Sequence, residues 1–219
     1  QVITIDLPGF GKNGSYEIEP YTLANICQHL EQTITQPAIY LGWSLGGMLA
    51  TQAAARAPDR ISKLMTICSN ARFLADKHWK QGVPFPLYNG FVECIDDVHT
   101  TLRRFAALSV VGEHKDMLKH LKWLQQNTQN KETEPAILKA SLELLATIDN
   151  RKILPVLPQP CLHMLATDDA IVPNKLSQEL NKLNPMHLVS FVPNASHACL
   201  VTQPQSVANG VLTFMQASN

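Results

Sequence analysis

Over the first seventy residues, short apolar runs alternate with amphipathic stretches. "VITID" (2–6), "AIYLGW" (38–43) and "KLMTIC" (63–68) read as strands, while "YTLANICQHLEQTI" (21–34) and "LGGMLATQAAARA" (45–57) carry helical spacing. Continuous apolar runs of about four to eight residues mark strands buried on both faces, and the helices between them supply the crossovers of a parallel sheet. From about residue 72 to 149 the strands vanish. Three helices are predicted there, over 96–111, 115–126 and 135–148, with the polar "NTQNKETEP" (127–135) separating the last two. Strands return at "CLHMLA" (161–166) and "LVSFVP" (188–193), followed by a helix at 204–216. The pattern predicts an α/β fold with a mostly parallel sheet flanked by helices. Its core is discontinuous, 1–71 and 150–219, with a helical cap inserted at 72–149.

Composition narrows what such a chain can do. At 219 residues it suits one domain with an insertion, large enough to bury about two-thirds of the surface its unfolded chain exposes. Lysine plus arginine and aspartate plus glutamate are 18 each, so no basic field holds nucleic acid or an anionic membrane at long range. The five cysteines are scattered without C-x-x-C spacing, which argues against a disulfide framework and a zinc site and favours a reducing cytosol. No apolar run approaches the ~20 residues that span a bilayer. The sequence opens without methionine, directly in the strand-like "QVITID", and an N-terminal piece is taken to be missing.

Against that background, Gly42-Trp43-Ser44-Leu45-Gly46 fits G-x-S-x-G, in which a serine occupies a sharp turn from strand to helix. Both glycines are expected to be required by close packing around that turn. The free N–H groups of the following helix point toward the serine, which makes the Leu45 amide a candidate oxyanion donor. A serine so placed needs a base and an orienting acid, which follow it in the order acid, histidine. "LATDDAIVP" offers Asp168 and Asp169 just past a strand, and "FVPNASHACL" offers His197 after the next one. Read singly, these could be a loop or capping pair and a surface histidine; their order at matching strand ends favours a triad. Of the other histidines, His29, His78, His99, His114 and His120 fall in helical or cap contexts and are expected to be solvated. His163 and His187 lie in or beside strands, and none has paired metal-ligand spacing.

"DLPGFG" (6–11), "LGWSLGG" (41–47), D-x-x-V-P (169–173), "RFxAL" (104–108) and "ASHA" (195–198) together resemble the α/β-hydrolase family. Within it they are most similar to the biotin-pathway carboxylesterases that act on pimeloyl-[acyl-carrier protein] methyl ester, and the likeness runs along essentially the whole chain. The resemblance implies Ser44 as nucleophile, His197 as base and Asp169 as acid, with Asp168 a neighbour. It implies substrate-pocket roles for Trp43, Leu45, Phe73 and Phe105, each of which plain core packing would also explain. Arg104 would help to hold the acidic carrier protein and its phosphopantetheine arm. Thr100, Met117 and Leu121 stand where the family has arginine, while Arg103, Lys115, Lys119 and Lys122 lie nearby. The family's earlier strand and H-G loop, which supply a second oxyanion donor, precede the first residue of this sequence.

The expected chemistry is ester hydrolysis through an acyl-enzyme, in a cytoplasmic monomer that needs no metal or organic cofactor and partners an acyl-carrier protein. Rival readings are a general short-chain carboxylesterase, a C–C hydrolase of the same fold, and a non-catalytic binding protein that kept the architecture.

Overall fold

In the computed structural model, residues 2–14, 18–113, 115–129 and 133–217 are described. Helix α1 (Leu23–Thr33) opens at Thr22, whose hydroxyl accepts from the Asn25 N–H at 3.3 Å, and it turns Ile26, Cys27 and Leu30 inward. Strand β1 (Ala38–Trp43) runs through Ser44 into helix α2 (Leu45–Arg56), which returns the chain to strand β2 (Ile61–Ile67). After a helical segment come strand β3 (Cys161–Ala166), helix α7 (Leu176–Leu183) and strand β4 (Leu188–Val192). The chain closes with the short helix α8 (Cys199–Thr202) and helix α9 (Pro204–Gln216).

Among the described residues the sheet has four parallel strands in the order β1-β2-β3-β4. Strand β3 is buried along its full length, as expected for an inner strand covered on both faces. Successive side chains alternate between two cores. Leu64, Cys161 and Leu165 join the larger one, which Met48, Leu49, Ala53, Leu176 and Leu180 complete from α2 and α7. Met65, Leu162 and Met164 face the other, closed by Val207 and Phe214 of α9. With both faces so covered, Ser44, Asp169 and His197 all fall just past strand ends, where the loops meet.

Between β2 and β3 the chain builds α3 (Phe85–Val92), α4 (Val98–Ser109), α5 (Met117–Gln129) and α6 (Pro135–Thr147). Its two ends are fastened together: Arg72 and Asp149 form an antiparallel bridge, Asn150 N–H donates to Ala71 O at 2.7 Å, and Arg72 and Arg151 both reach the Asp149 carboxylate. The hydrogen bond from Arg151, reinforced by Arg72, holds the Asp149 carboxyl at about 2 despite partial burial.

Two expectations change. Periodicity predicts three helices here, and α3 is a fourth. Its sequence "FPLYNGFV" contains Pro86 and Gly90, which read as breakers, but Pro86 lies in the first turn, where no intrahelical donor is lost. The second change is "VITID", which forms no strand. Ile5 packs against the larger core, yet Val2 is 90% and Ile3 58% exposed, and residues 2–6 join no ladder. A short apolar run marks a segment that fits a sheet; a strand also needs a neighbour to bond with. Of the polar break at 127–135, residues 130–132 lie outside the described residues, as does His114.

Candidate active site

Ser44 stands between β1 and α2 with φ 52° and ψ −120°, a conformation that costs a non-glycine residue about 1–3 kcal/mol. Neighbours hold it there. Its N–H donates to Ile67 O at 2.9 Å, and its carbonyl accepts from Gly47 N–H at 3.0 Å and from the Ser69 hydroxyl at 2.8 Å. A Cβ at Gly42 would stand 2.5 Å from Gly47 N and still closer to the Gly46 carbonyl, so glycine is required. Gly46 differs from the expectation. A Cβ there would meet nothing within 4 Å; the crowding that involves this residue comes from its backbone pressing on Gly42, while the second forced position is Gly47, against Ser69.

The turn presents the Ser44 hydroxyl to His197. Nε2 of His197 lies 3.1 Å from Ser44 Oγ, and Nδ1 lies 2.8 Å from Asp169 Oδ2. Asp169 Oδ1 accepts from the N–H groups of Ile171 and Val172 at 2.8 and 2.9 Å, which fixes the carboxylate's orientation. With the carboxylate accepting, the proton sits on Nδ1, and Nε2 keeps the lone pair that faces the serine. The side chains of Asp169 and His197 are fully shielded from solvent, whereas Ser44 is half-buried and can be reached. Leu45 opens α2, so its N–H is among the first-turn donors with no carbonyl four residues back in the helix. Such a set can deprotonate a hydroxyl and stabilise an oxyanion beside it. Asp168, the other candidate acid, turns elsewhere: its Oδ2 accepts from Thr167 Oγ1 at 2.8 Å, and Gly112 packs on its backbone.

The remaining candidates divide. The Trp43 ring lies 5.3 Å from the His197 ring and Phe105 meets it edge-on at 6.2 Å. Phe73 and Leu45 are half-buried against the larger core. Arg104, on the exposed side of α4, donates to Gly90 O and to Cys94 Sγ of the neighbouring segment. Exposed basic side chains continue nearby in sequence at Arg103, Lys115, Lys119 and Lys122.

Three features escape sequence reasoning because they join distant positions. Trp43 Nε1 donates to the His197 carbonyl, Ser69 braces the serine's own carbonyl, and Cys68 sits behind the acid–histidine pair with its Sγ 3.6 Å from Cys199 Sγ. Contact with Cys199, burial and the Asp169 charge all push the Cys68 thiol far up, so it stays neutral. Cys68, Asp169 and His197 bring donor atoms within 4.8 Å of one another, but a neutral thiol and an acid already bonded to the imidazole are poor metal ligands.

Away from this site, two histidines are buried together, His163 in β3 and His187 in the turn just before β4. His163 Nδ1 lies 2.7 Å from Thr66 Oγ1, His163 Nε2 lies 3.2 Å from His187 Nδ1, and His187 Nε2 lies 3.0 Å from Asn184 Nδ2. Burial, aided by the neighbouring imidazole, takes His163 down to about 3, and burial also lowers His187.

Residues 1–204 match the family described as alpha/beta hydrolase fold. The chain is 35% identical over 213 residues to the pimeloyl-[acyl-carrier protein] methyl ester esterase of Vibrio vulnificus, covering 96% of this chain and 82% of that one. With the protein of the same name from Photobacterium profundum the identity is 32%, covering 97% and 83%. Among solved structures, an esterase from Exiguobacterium antarcticum superposes with a TM-score of 0.82 at 17% identity, over 97% of this chain and 80% of that one. A bromoperoxidase from Bacillus anthracis gives 0.84 at 18%, with the same coverage, so these two speak for the fold alone. A family match spanning all four strands, and relatives above 30% identity along nearly the full length, make this chain a member of the alpha/beta hydrolase family.

Proposed function

We propose that this protein is a serine carboxylesterase of biotin synthesis, hydrolysing pimeloyl-[acyl-carrier protein] methyl ester to pimeloyl-[acyl-carrier protein] and methanol. The observation that carries the reading is the continuous chain Asp169–His197–Ser44 at a strained strand-to-helix turn. The names of the relatives supply the substrate. His197 takes the proton of Ser44 as Oγ attacks the ester carbonyl, and the Leu45 N–H binds the oxyanion. Collapse of the tetrahedral intermediate breaks the bond to the methoxy oxygen, which leaves as methanol with the proton from His197. Water then gives its proton to His197 as it attacks the acyl-enzyme, and collapse of the second tetrahedral intermediate breaks the bond to Ser44 Oγ, which regains the proton from His197 as the free carboxylate is released. Asp169 holds the productive tautomer and stabilises the imidazolium in both halves.

In this reading residues 72–149 form a cap over the core formed by 1–71 and 150–219. Trp43, Leu45, Phe73 and Phe105 wall a slot for the acyl chain. Arg104, with Arg103 and the exposed lysines at 115, 119 and 122, receives the acidic carrier protein. No helix among the described residues is long and apolar enough to cross a membrane. Five free cysteines suit a reducing cytoplasm, and the enzyme works as a monomer.

The test is hydrolysis of a p-nitrophenyl ester by the protein and by Ser44→Ala, followed by methyl pimeloyl carrier protein against free methyl pimelate. Ser44-dependent turnover with strong preference for the carrier-bound ester supports the assignment. Turnover without that preference leaves a general carboxylesterase, and none that depends on Ser44 favours a binding role.

A further inference from the structure

His197 lies in a loop, where no ladder or helix fixes the backbone. Its ring is held at both nitrogens, but those bonds align it only if the main chain beneath it stays in place. Long-range contacts supply that: Asp168 N–H donates to Ala195 O at 3.0 Å and Asn194 N–H to Thr167 Oγ1 at 2.8 Å just upstream, and two more bear on His197 and its neighbour. The indole Nε1 of Trp43 donates to the His197 carbonyl at 2.9 Å across 154 residues, and the next amide, Ala198 N–H, donates to Ser109 O at the end of α4 at 3.0 Å. The same indole lies beside the imidazole, with ring centroids 5.3 Å apart and planes tilted by 42°. Trp43 is also adjacent in sequence to Ser44, at the end of the rigid strand β1.

We propose that Trp43 is a positioning residue for the base. Its indole N–H ties the histidine loop to the strand that carries the nucleophile, so that Nε2 and Oγ keep their separation while the ester reacts. This role goes beyond walling an acyl slot, and it rests on the esterase reading only where turnover is measured. Because β1 is bonded along its length to β2, a displacement that carries the His197 backbone away from the strand strains the indole bond as it lengthens the 3.1 Å contact. Misplacing a reacting group by about 1 Å can cost on the order of a hundredfold in rate, so a single carbonyl anchor can matter greatly.

Two variants test this. Trp43→Phe removes the N–H and part of the ring, and replacing the indole by a benzothiophene keeps the shape and removes only the N–H. Both are measured for kcat and KM with a short p-nitrophenyl ester, whose small acyl group makes little use of a slot wall. The resonance of the His197 Nδ1 proton is recorded without substrate. The expected result for both is a kcat fall of about tenfold or more with KM nearly unchanged, and a shifted or exchange-broadened Nδ1 proton. A benzothiophene protein with native kcat and a native resonance overturns the proposal, as does a rise in KM alone. If the parent protein shows no Ser44-dependent turnover, the esterase reading fails separately, and the resonance still decides whether the indole N–H holds the loop.

Discussion

Two histidine centres, one beyond the ends of the strands and one between β3 and the turn that enters β4, use the same side chain in opposite ways. His197 is strung between a carboxylate and a hydroxyl, with Asp169 at Nδ1 and Ser44 at Nε2. His163 and His187 are strung between a hydroxyl and an amide, Thr66 and Asn184. In the second centre the proton positions follow from the backbone. Asn184 Oδ1 accepts from Met186 N–H at 3.0 Å and Nδ2 donates to Leu154 O at 3.2 Å, which fixes the amide's orientation. His187 Nε2 must then accept from Nδ2, its Nδ1–H donates to His163 Nε2, and His163 Nδ1–H donates to Thr66. Every link works with neutral rings, and a proton added to either imidazole would set two donors against each other. Both centres carry their proton on Nδ1. What differs is the partner: a carboxylate stabilises the imidazolium that a base must become, while an imidazole and burial oppose it.

The sharpest way to break that contrast is Asp169→Asn, which keeps the shape and removes the charge. It is expected to lower kcat by roughly 10⁴, as loss of the orienting acid does in such triads, with a melting temperature close to the parent's. The analogous change in the other centre, Thr66→Val, should leave kcat within about threefold, and initial rates on one ester compare the two directly.

Gly42→Ala tests the turn that brings Ser44 to the first centre. With backbone of the next helix already against the missing Cβ, it should cost several kcal/mol, at the upper end of about 1–3 kcal/mol for overpacking or beyond, read as a lower urea midpoint.

Acid should act through the second centre. The folded value of His163, about 3, lies below the unfolded value near 6.5, so between them the unfolded chain binds the extra proton. Stability is therefore full above about pH 6.5 and declines as pH falls, by about 1.4 kcal/mol per pH unit for each histidine held neutral. Urea midpoints at about pH 7, 6, 5 and 4 should trace that slope, and His163→Leu should make it shallower. An equal slope in the variant would mean the pair is not what titrates. The smallest effect is expected from Gly46→Ala. It adds a methyl where nothing lies within 4 Å inside a helix, so stability should stay or rise by about a few tenths of a kcal/mol, read as an unchanged or slightly higher urea midpoint.

Much of this molecule is legible locally. Continuous apolar runs and the 3.6-residue period place β1, β3, α1, α2, α6 and α9 within about two residues, because buried strands and amphipathic helices are written in consecutive positions. The serine turn is equally local, since Gly42 and Ser44 meet the helix they introduce within five residues. Where the reading fails, the deciding partner lies outside the window. "VITID" has strand composition but no ladder, and α3 tolerates its proline only because of where its first turn begins. Gly46 matches the motif, yet the crowding belongs to Gly42, on which the Gly46 backbone presses.

The site divides in the same way. Residue types and their order along the chain point to Ser44, one of two aspartates, and His197, because the chemistry of an ester-cleaving serine demands those groups. Periodicity does not choose between Asp168 and Asp169, and resemblance favours the second. Tertiary structure shows why adjacent carboxylates part: neighbouring side chains leave the backbone in different directions, so one meets His197 and the other Thr167. The indole anchor of Trp43, the brace from Ser69 and the neutrality of His163 depend on atoms 154, 25 and 24 residues away. Sequence specifies which groups are available; only the packed sheet, by fixing distances and excluding water, decides which of them meet and which can carry charge.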